Sequence, residues 1–364
     1  MVTSRHTVKL TREPLKIYED ISTDSLFHRS PCLKPLQKPL FRRQKIFQGA
    51  HLGIKDARVC GTSNIIFDSN GFASPINIAF NPTNPDKVFG TSRDYFESDE
   101  SDGYKFSAEK VIKIDEAIFI GGHENFGHWM HCHLGRLTFL KTAPNKIPII
   151  THGNLLPNKI ESIKYMLGGS TNVLPLNPNE LLCAKYLFIP QMPWVVANQI
   201  TVCDIEMFRE LRTKLAVKKI GTGRRKIFLT REDAKWRRLL NQTEITSWLF
   251  AEGFEFINPA KLSFKQQVTL GEETKWLISI FGAGSNFFEF VPDDSVFIEL
   301  CPPIKQRDLD INTRFAKMAG MRQVYRFEGI AAPAKGQSEI NSDFKVDKLA
   351  LETLIKTIEK GLTG

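Results

Sequence analysis

The feature that most restricts the fold of this chain is the alternation between Lys226 and Leu300, where short strand-like runs and helix-length segments follow one another without a break. Lys226 to Thr230 reads as a strand, Gln242 to Glu252 as a helix, Glu255 to Ile257 as a strand, Phe264 to Gly271 as a helix and Trp276 to Phe281 as a strand. A glycine turn, a short helix and the strand Val296 to Leu300 complete the series. Such alternation predicts a parallel sheet covered by helices, because parallel neighbours need a crossover that a helix supplies. Asn241-Gln242-Thr243-Glu244 has the letters of a capping arrangement for the first helix, with Asn241 as cap. Ligands of these sheets sit at the carboxyl ends of the strands.

The first half is less regular. Residues up to about Pro39 carry four prolines among charges and read as an irregular arm; Arg58 to Phe67 suggests a strand, and Asn81-Pro82-Thr83-Asn84-Pro85 a loop. Lys110 to Ile120 then reads as a strand, Gly121-Gly122 as its turn and Asn125 to Lys141 as a helix. Lys146 to Ile150 and Leu181 to Ile189 are further strands, with a helix at Asn158 to Leu167. Ile205 to Val217 reads as a helix leading to Gly221-Thr222-Gly223, a flexible joint. The expected organisation is a basic arm over 1–45, one α/β domain over 46–200 and a second α/β domain over 201–364, with a cleft between two sheets.

Composition narrows the function classes. At 42% hydrophobic and 24% charged, 364 residues suffice for two ordinary domains, and no apolar run reaches the length of a membrane span. Six scattered cysteines lack the spacing of a disulfide framework or zinc ribbon, which fits a reducing cytoplasm. Residues 1–60 hold 12 Lys/Arg against five Asp/Glu, so +7 of the net +9 lies there. No nucleic-acid reading module accompanies that charge, so no nucleic-acid partner is expected. A basic leading segment suits peripheral contact with an anionic membrane surface, and is also commonly just solvated.

Three groups of residues could perform chemistry. Arg231 follows a strand and is joined by Arg237 and Arg238, whose planar guanidinium forks suit phosphate oxygens. Phe281 precedes Gly282-Ala283-Gly284-Ser285-Asn286, a turn whose small residues allow close backbone approach and whose helix start favours an anion. Glu299, amid apolar neighbours, needs a partner, either sugar hydroxyls or an internal arginine. The third group is Gly122-His123-Glu124-Asn125-Phe126-Gly127-His128-Trp129-Met130-His131-Cys132-His133. His123 and His128 miss the spacing of the zinc helix, and His128 at a helix start suits proton transfer or, equally, a core hydrogen bond.

Taken in order, these motifs resemble glycosyltransferase family 61. Asn125-Phe126-Gly127-His128-Trp129 with Arg136 is similar to the family's first motif. Lys226 to Arg231 with Arg237-Arg238-Leu239-Leu240-Asn241 is similar to the second, continued by Gly253-Phe254, Leu262-Ser263-Phe264, Gln267-Val268, Gly282-Ala283-Gly284, Pro292 and Glu299-Leu300. The chain departs from the family at Phe281, commonly histidine; at Phe287, commonly asparagine; and at Gln242 and His131, commonly acidic.

The resemblance implies a GT-B architecture, two Rossmann-like α/β domains around a central cleft, and inverting transfer of a sugar from a nucleotide sugar, typically UDP-linked, to a glycan or glycosylated acceptor. His128 is the expected general base, with His123 and Glu124 as alternates. Arg231, Arg237, Arg238 and the backbone near Gly282, Ala283, Gly284, Ser285 and Asn286 are expected to meet the diphosphate. Glu299 is expected to hold ribose hydroxyls, and Gln267 with Asn241 to support the donor loop. Cations can replace a divalent ion, so no metal or other cofactor is expected to be obligatory; Asp308-Leu309-Asp310 has the letters of a metal triplet without the setting. A non-catalytic nucleotide-sugar binder and a histidine-cluster metal-dependent hydrolase are the competing readings.

Overall fold

The computed structural model describes residues 4–10, 51–63, 66–67, 72–74, 94–99, 103–141, 144, 146–169, 171–190, 209–231, 235–303, 311–333, 336–338 and 341–363. The loop at Asn81 to Pro85 and the triplet Asp308 to Asp310 lie outside them. Two compact units divide the chain, Met1–Met207 and Phe208–Gly364.

The first unit carries β1 (Ser4–Leu10), β2 (Leu52–Cys60), β3 (Ile66–Phe67), β4 (Phe72–Ser74), β5 (Phe96–Asp99), β6 (Gly103–Ala108), β7 (Lys110–Gly121), β8 (Ile149–His152), β9 (Val173–Leu176) and β10 (Glu180–Ile189). Among the described residues they form one sheet in the order β5-β6-β1-β4-β3-β2-β10-β7-β8-β9. The run β10-β7-β8-β9 is parallel, as is the pair β1-β4, while β2 pairs antiparallel with β10. This sheet is therefore mixed, in contrast to the regular parallel sheet expected. Its core joins Ile54, Val59, Ala117, Phe119, Ile150, Leu182 and Leu187.

Several local expectations for this unit need correction. The supposed irregular arm opens with β1, whose backbone pairs antiparallel with β6. The stretch Arg58 to Phe67 is two antiparallel strands rather than one, with Gly61 in a left-handed conformation, φ 51°, where the chain turns. The strand expected from Lys146 starts at Ile149: Pro148 has no N–H for the ladder, and its carbonyl accepts from the Ile118 N–H at 3.0 Å. Asn158 to Leu167 is helical as expected, within α1 (Pro157–Leu167).

The expected regular helix Asn125 to Lys141 is instead a short α turn at Phe126–His128, a π turn at Trp129–His133 and a 3-10 stretch at Leu134–Phe139. Every residue from Trp129 to Leu140 is buried, so no solvent face enforces a single period. Polar side chains also bind backbone carbonyls here, with His133 Nδ1 at 2.7 Å from the Ile120 carbonyl and Arg136 Nε donating to the Cys132 carbonyl at 2.7 Å.

The second unit follows the alternation closely. Its strands are β11 (Arg225–Leu229), β12 (Phe254–Ile257), β13 (Thr274–Ile280), β14 (Val296–Cys301) and β15 (Gln323–Glu328). They form a parallel sheet in the order β12-β11-β13-β14-β15. Connecting and flanking helices are α2 (Gln242–Ala251), α3 (Phe264–Glu273), α4 (Ile311–Ala319) and α5 (Lys348–Thr363), with a 3-10 helix at Ala283–Phe290. β13 and β14 read as near-continuous apolar runs because helices cover both sheet faces. One face joins Phe228, Ile278, Ile298 and Leu300 to Ile245 and Leu249 of α2 and Leu351 and Ile355 of α5. On the other, Phe297 meets Phe288 at 6.0 Å between ring centroids.

Capping differs from expectation too. Asn241 occupies the cap position of α2, but its side chain accepts from no N–H of the helix and instead donates from Nδ2 to Glu244 Oε2 at 3.0 Å; the bonded capping box is Ser263 with Gln266, ahead of α3. The Gly221–Gly223 segment is a packed corner, not a flexible joint. A β-carbon on Gly223 would lie 2.2 Å from the Glu273 backbone, and one on Gly221 2.5 Å from Pro292. The preceding helical turn at 209–214 is tied to the same unit, since Arg212 donates to the Phe288 and Val291 carbonyls. Residues 205–208 of the expected helix lie outside the described set.

Candidate functional site

The order of the second sheet creates a switch point. From β11 the chain crosses to β12 on one side, then returns past β11 to β13 on the other, so the connections after β11 and β13 diverge. In such sheets the crevice outside those two carboxyl ends is where ligands bind. Arg231 follows β11, and Phe281-Gly282 follows β13.

The two meet. Arg231 Nη1 donates to the Phe281 carbonyl at 2.7 Å, and a β-carbon on Gly282 would lie 2.9 Å from that same nitrogen. Gly282 has φ 155° and ψ −167°, a region that belongs essentially to glycine. Glycine is thus required twice, by torsion and by the guanidinium laid over it. Arg237 joins from the same loop with a left-handed φ of 59°, placing its guanidinium 4.6 Å from the centroid of the Phe281 ring.

Among the described residues the acceptor of Arg231 is the Phe281 carbonyl, and no carboxylate bonds it. Burial, then the neighbouring Arg237, pushes its guanidinium down to about 10; burial also lowers Arg237. Two crowded cations at a strand end would be relieved by a bound anion. The bend is held on its other sides as well. The Phe281 N–H donates to the Leu300 carbonyl at 2.8 Å, and the Gly282 carbonyl accepts from Ser285 N at 3.1 Å and Asn312 Nδ2 at 3.3 Å.

The remaining residues expected around the donor fall into two groups. Ser285 and Asn286 belong to the bend: Ser285 Oγ lies 2.9 Å from Ser279 Oγ, and Asn286 Nδ2 donates to the Ala283 carbonyl at 3.0 Å. Gly284 has no atom within 4 Å of an added β-carbon and so faces open space. Arg238 turns away from the bend to Asp343, donating from Nε and Nη2 at 2.9 and 2.7 Å, which raises its pKa. Asn241 ties its loop to Val346, donating to the carbonyl at 2.8 Å and accepting from the N–H at 3.0 Å. Gln267 is buried and donates to the Pro259 and Leu262 carbonyls, holding the loop after β12.

Glu299 is fully buried and accepts from Asn312 Nδ2 at 2.8 Å. Its carboxyl faces no solvent in this structure, and its hydrogen-bond partners are internal, the Asn312 amide and the Ser285 side chain, rather than an arginine. Burial pushes it up to about 7, against the lowering effect of hydrogen bonds from Ser285 and Asn312. Asn312 of α4 links the carboxyl to the Gly282 carbonyl; nothing in the local sequence singled it out. Phe287, where the resemblance expects asparagine, is buried and packs edge-on to Phe290 at 5.3 Å.

The histidine turn lies in the first unit at the carboxyl end of β7, and His152 ends the adjacent β8. Asn125 caps it, its Oδ1 accepting from the His128 N–H at 3.2 Å, while its own N–H donates to His123 Nδ1 at 2.9 Å. These bonds bring the His123 and His128 rings to 4.7 Å between centroids. His131 and His133 are buried, and the His133 ring stacks on Trp129 at 6.1 Å. Burial, then His123 and His131, pushes His128 down to about 4, and burial lowers His123 as well. Burial likewise pushes His152 down to about 3. His128 and His152 are therefore neutral at physiological pH, and the lowering at His123 acts in the same direction. Glu124 is exposed at the rim, its Oε1 within 3.5 Å of Asn154 Nδ2.

Sequence reasoning passed over His152 and Lys159 here. Lys159 lies in the buried stripe of α1 with Ser162, Ile163 and Met166, so a lysine at core spacing was the available signal. Among the described residues no group of three or more His, Cys, Asp or Glu side chains is arranged to hold a metal ion, and no helix is long and apolar enough to cross a membrane.

Comparison with known proteins bears on both motifs. The family model described as Glycosyltransferase 61 matches residues 126–298, from the helical turn that bears His128 to β14. No curated protein matches the chain.

Proposed function

We propose, from the match of residues 126–298 to the family model Glycosyltransferase 61, that the protein is an inverting glycosyltransferase. It takes a hexosyl or pentosyl group from a nucleotide sugar, most simply a UDP-sugar, to a hydroxyl of a glycan or glycosylated acceptor. In the GT-B arrangement this reading adopts, the second unit holds the donor and the first presents the acceptor. The observation that carries the reading is the convergence of Arg231 and Arg237 on the Phe281-Gly282 bend at the switch point of a parallel sheet.

The reaction is one displacement. The acceptor oxygen attacks the anomeric carbon and its proton passes to a base, while the bond to the nucleotide diphosphate breaks. Neutral His128 is the base in this reading, with His123 or Glu124 as alternates. Arg231 and Arg237, with N–H groups at the start of the 3-10 helix, stabilise charge on the departing diphosphate without an obligatory metal. Arg238, Asn241, Gln267 and Glu299 act by fixing the loops that frame the donor. The site of action is the cytoplasm, with the basic leading segment available to an anionic membrane surface.

Two measurements test the reading. Incubation with a panel of UDP-sugars should release UDP slowly, whereas a non-catalytic binder would bind UDP with no turnover. Arg231→Ala should weaken UDP binding, read by calorimetry, by about 1.5–3 kcal/mol through loss of a charge-assisted contact. Unchanged UDP affinity in the folded variant refutes the placement of the diphosphate.

A further inference from the structure

The histidine turn is held by a helix that the reaction itself does not use. Lys159 of α1 is 3% exposed, yet its ammonium reaches two backbone carbonyls of the turn, His123 at 2.9 Å and Glu124 at 2.5 Å. One helical turn later, Ser162 Oγ accepts from Trp129 Nε1 at 3.1 Å and donates to the Lys159 carbonyl at 2.6 Å. The same face of α1 therefore grips both ends of the segment from His123 to Trp129. A buried ammonium is costly unless it is well bonded, so its presence in an otherwise core-forming stripe calls for a task. Neutral residues could fill that space without the desolvation.

We propose that Lys159 is a positioning residue for the proton-accepting histidines, with Ser162 as its accessory on the same helix. It fixes the backbone on which His123 stands, and its charge favours the neutral form of the adjacent imidazole. The groups that face His123 are Glu124 on its own loop, His128 and His133 on the helical turn, His152 at the end of β8 and Lys159 on α1. Lys159 and Glu124 act with opposite signs, and the lysine's effect is the larger. Lys159 is itself pushed down to about 8 by burial, so it remains largely charged at pH 7. The inference rests on reading the histidine turn as the base-bearing site.

The test compares the full-length chain with its Lys159→Met, Lys159→Gln and Ser162→Ala variants. Histidine ring signals are followed by NMR against pH, with His123 assigned through His123→Gln. In Lys159→Met the His123 titration should move to higher pH and kcat should fall roughly 10–100-fold, the scale of a misplaced catalytic group. Affinity for UDP should stay within about twofold, because the donor residues lie in the other unit. Ser162→Ala should lower kcat less and leave the His123 titration in place. If Lys159→Met does not fold, Lys159→Gln decides, since it keeps a donor at the carbonyls and removes the charge. An unmoved His123 titration in the folded neutral variants overturns the proposal, as does an unmoved kcat. If the parent chain transfers sugar from no donor while Lys159→Met still moves His123, the transferase reading fails and the positioning role stands.

Discussion

Replacing Gly282 by alanine perturbs the bend after β13 in a way whose size can be worked out atom by atom. The backbone there, φ 155° and ψ −167°, costs an L-residue about 1–3 kcal/mol. The new methyl would also sit 2.9 Å from Arg231 Nη1 and 3.1 Å from its Cζ, inside contact distance. To relieve that crowding the guanidinium must shift and lengthen its 2.7 Å bond to the Phe281 carbonyl, a charged hydrogen bond worth roughly 1.5–3 kcal/mol where buried. Arg231 is only half-buried, so water recovers part of that loss. The sum is about 2–4 kcal/mol of destabilisation, or roughly 4–15 °C in Tm for a unit of this size. Thermal and urea unfolding measure it, with Gly284→Ala as the control. Gly284 has no neighbour within 4 Å of an added β-carbon, and its substitution should change stability by less than about 0.5 kcal/mol. Equal unfolding of the two variants would refute both the torsional argument and the placement of Arg231 over the bend.

His128→Ala should leave UDP affinity intact and lower transfer by about two to four orders of magnitude; a retained rate in an initial-velocity assay eliminates His128 as the base. The two units should also respond oppositely to acid. In the first, His128 and His152 take up protons near pH 4 and 3 when folded but near 6.5 when unfolded, so their contribution is full above pH 6.5 and is lost as pH falls below it. At pH 5 each such group costs up to about 2 kcal/mol. In the second, Glu299 binds its proton near pH 7 when folded and near 4.5 when unfolded, so acidification between those values favours the folded form. Segment-resolved hydrogen exchange at pH 7 and pH 5, corrected for intrinsic rates, should show protection falling around Trp129 relative to β13; parallel changes in both would contradict the assigned shifts.

Much of the second unit was legible in its amino acids. Short apolar, β-branched runs, broken by helix-length segments, implied β11, α2, β12, α3, β13 and β14 to within a few residues, because such patterns report which stretches of an element are buried. The importance of Arg231 and Gly282 was also visible, as a guanidinium and a small-residue turn each following a strand. The first unit was harder. Its strands pair out of sequence order and in both directions, and the stretch from Trp129 to Leu140 is buried throughout, so its mixture of helical forms leaves no periodic trace.

Tertiary structure alone decided which cations matter at the bend. Arg237 and Arg238 are adjacent in sequence, yet one stacks over Phe281 and the other pairs with Asp343, a partner 105 residues away. The sheet order likewise sets Arg231 against a carbonyl 50 residues distant, brings Asn312 under both Glu299 and Gly282, and places Lys159 beneath the histidine turn. Local patterning determines the elements and their buried faces, since it depends on contacts a few residues apart. Which polar groups finally meet depends on strand order and crossover, and those are chosen by the burial of whole faces, to which a single polar side chain contributes almost nothing.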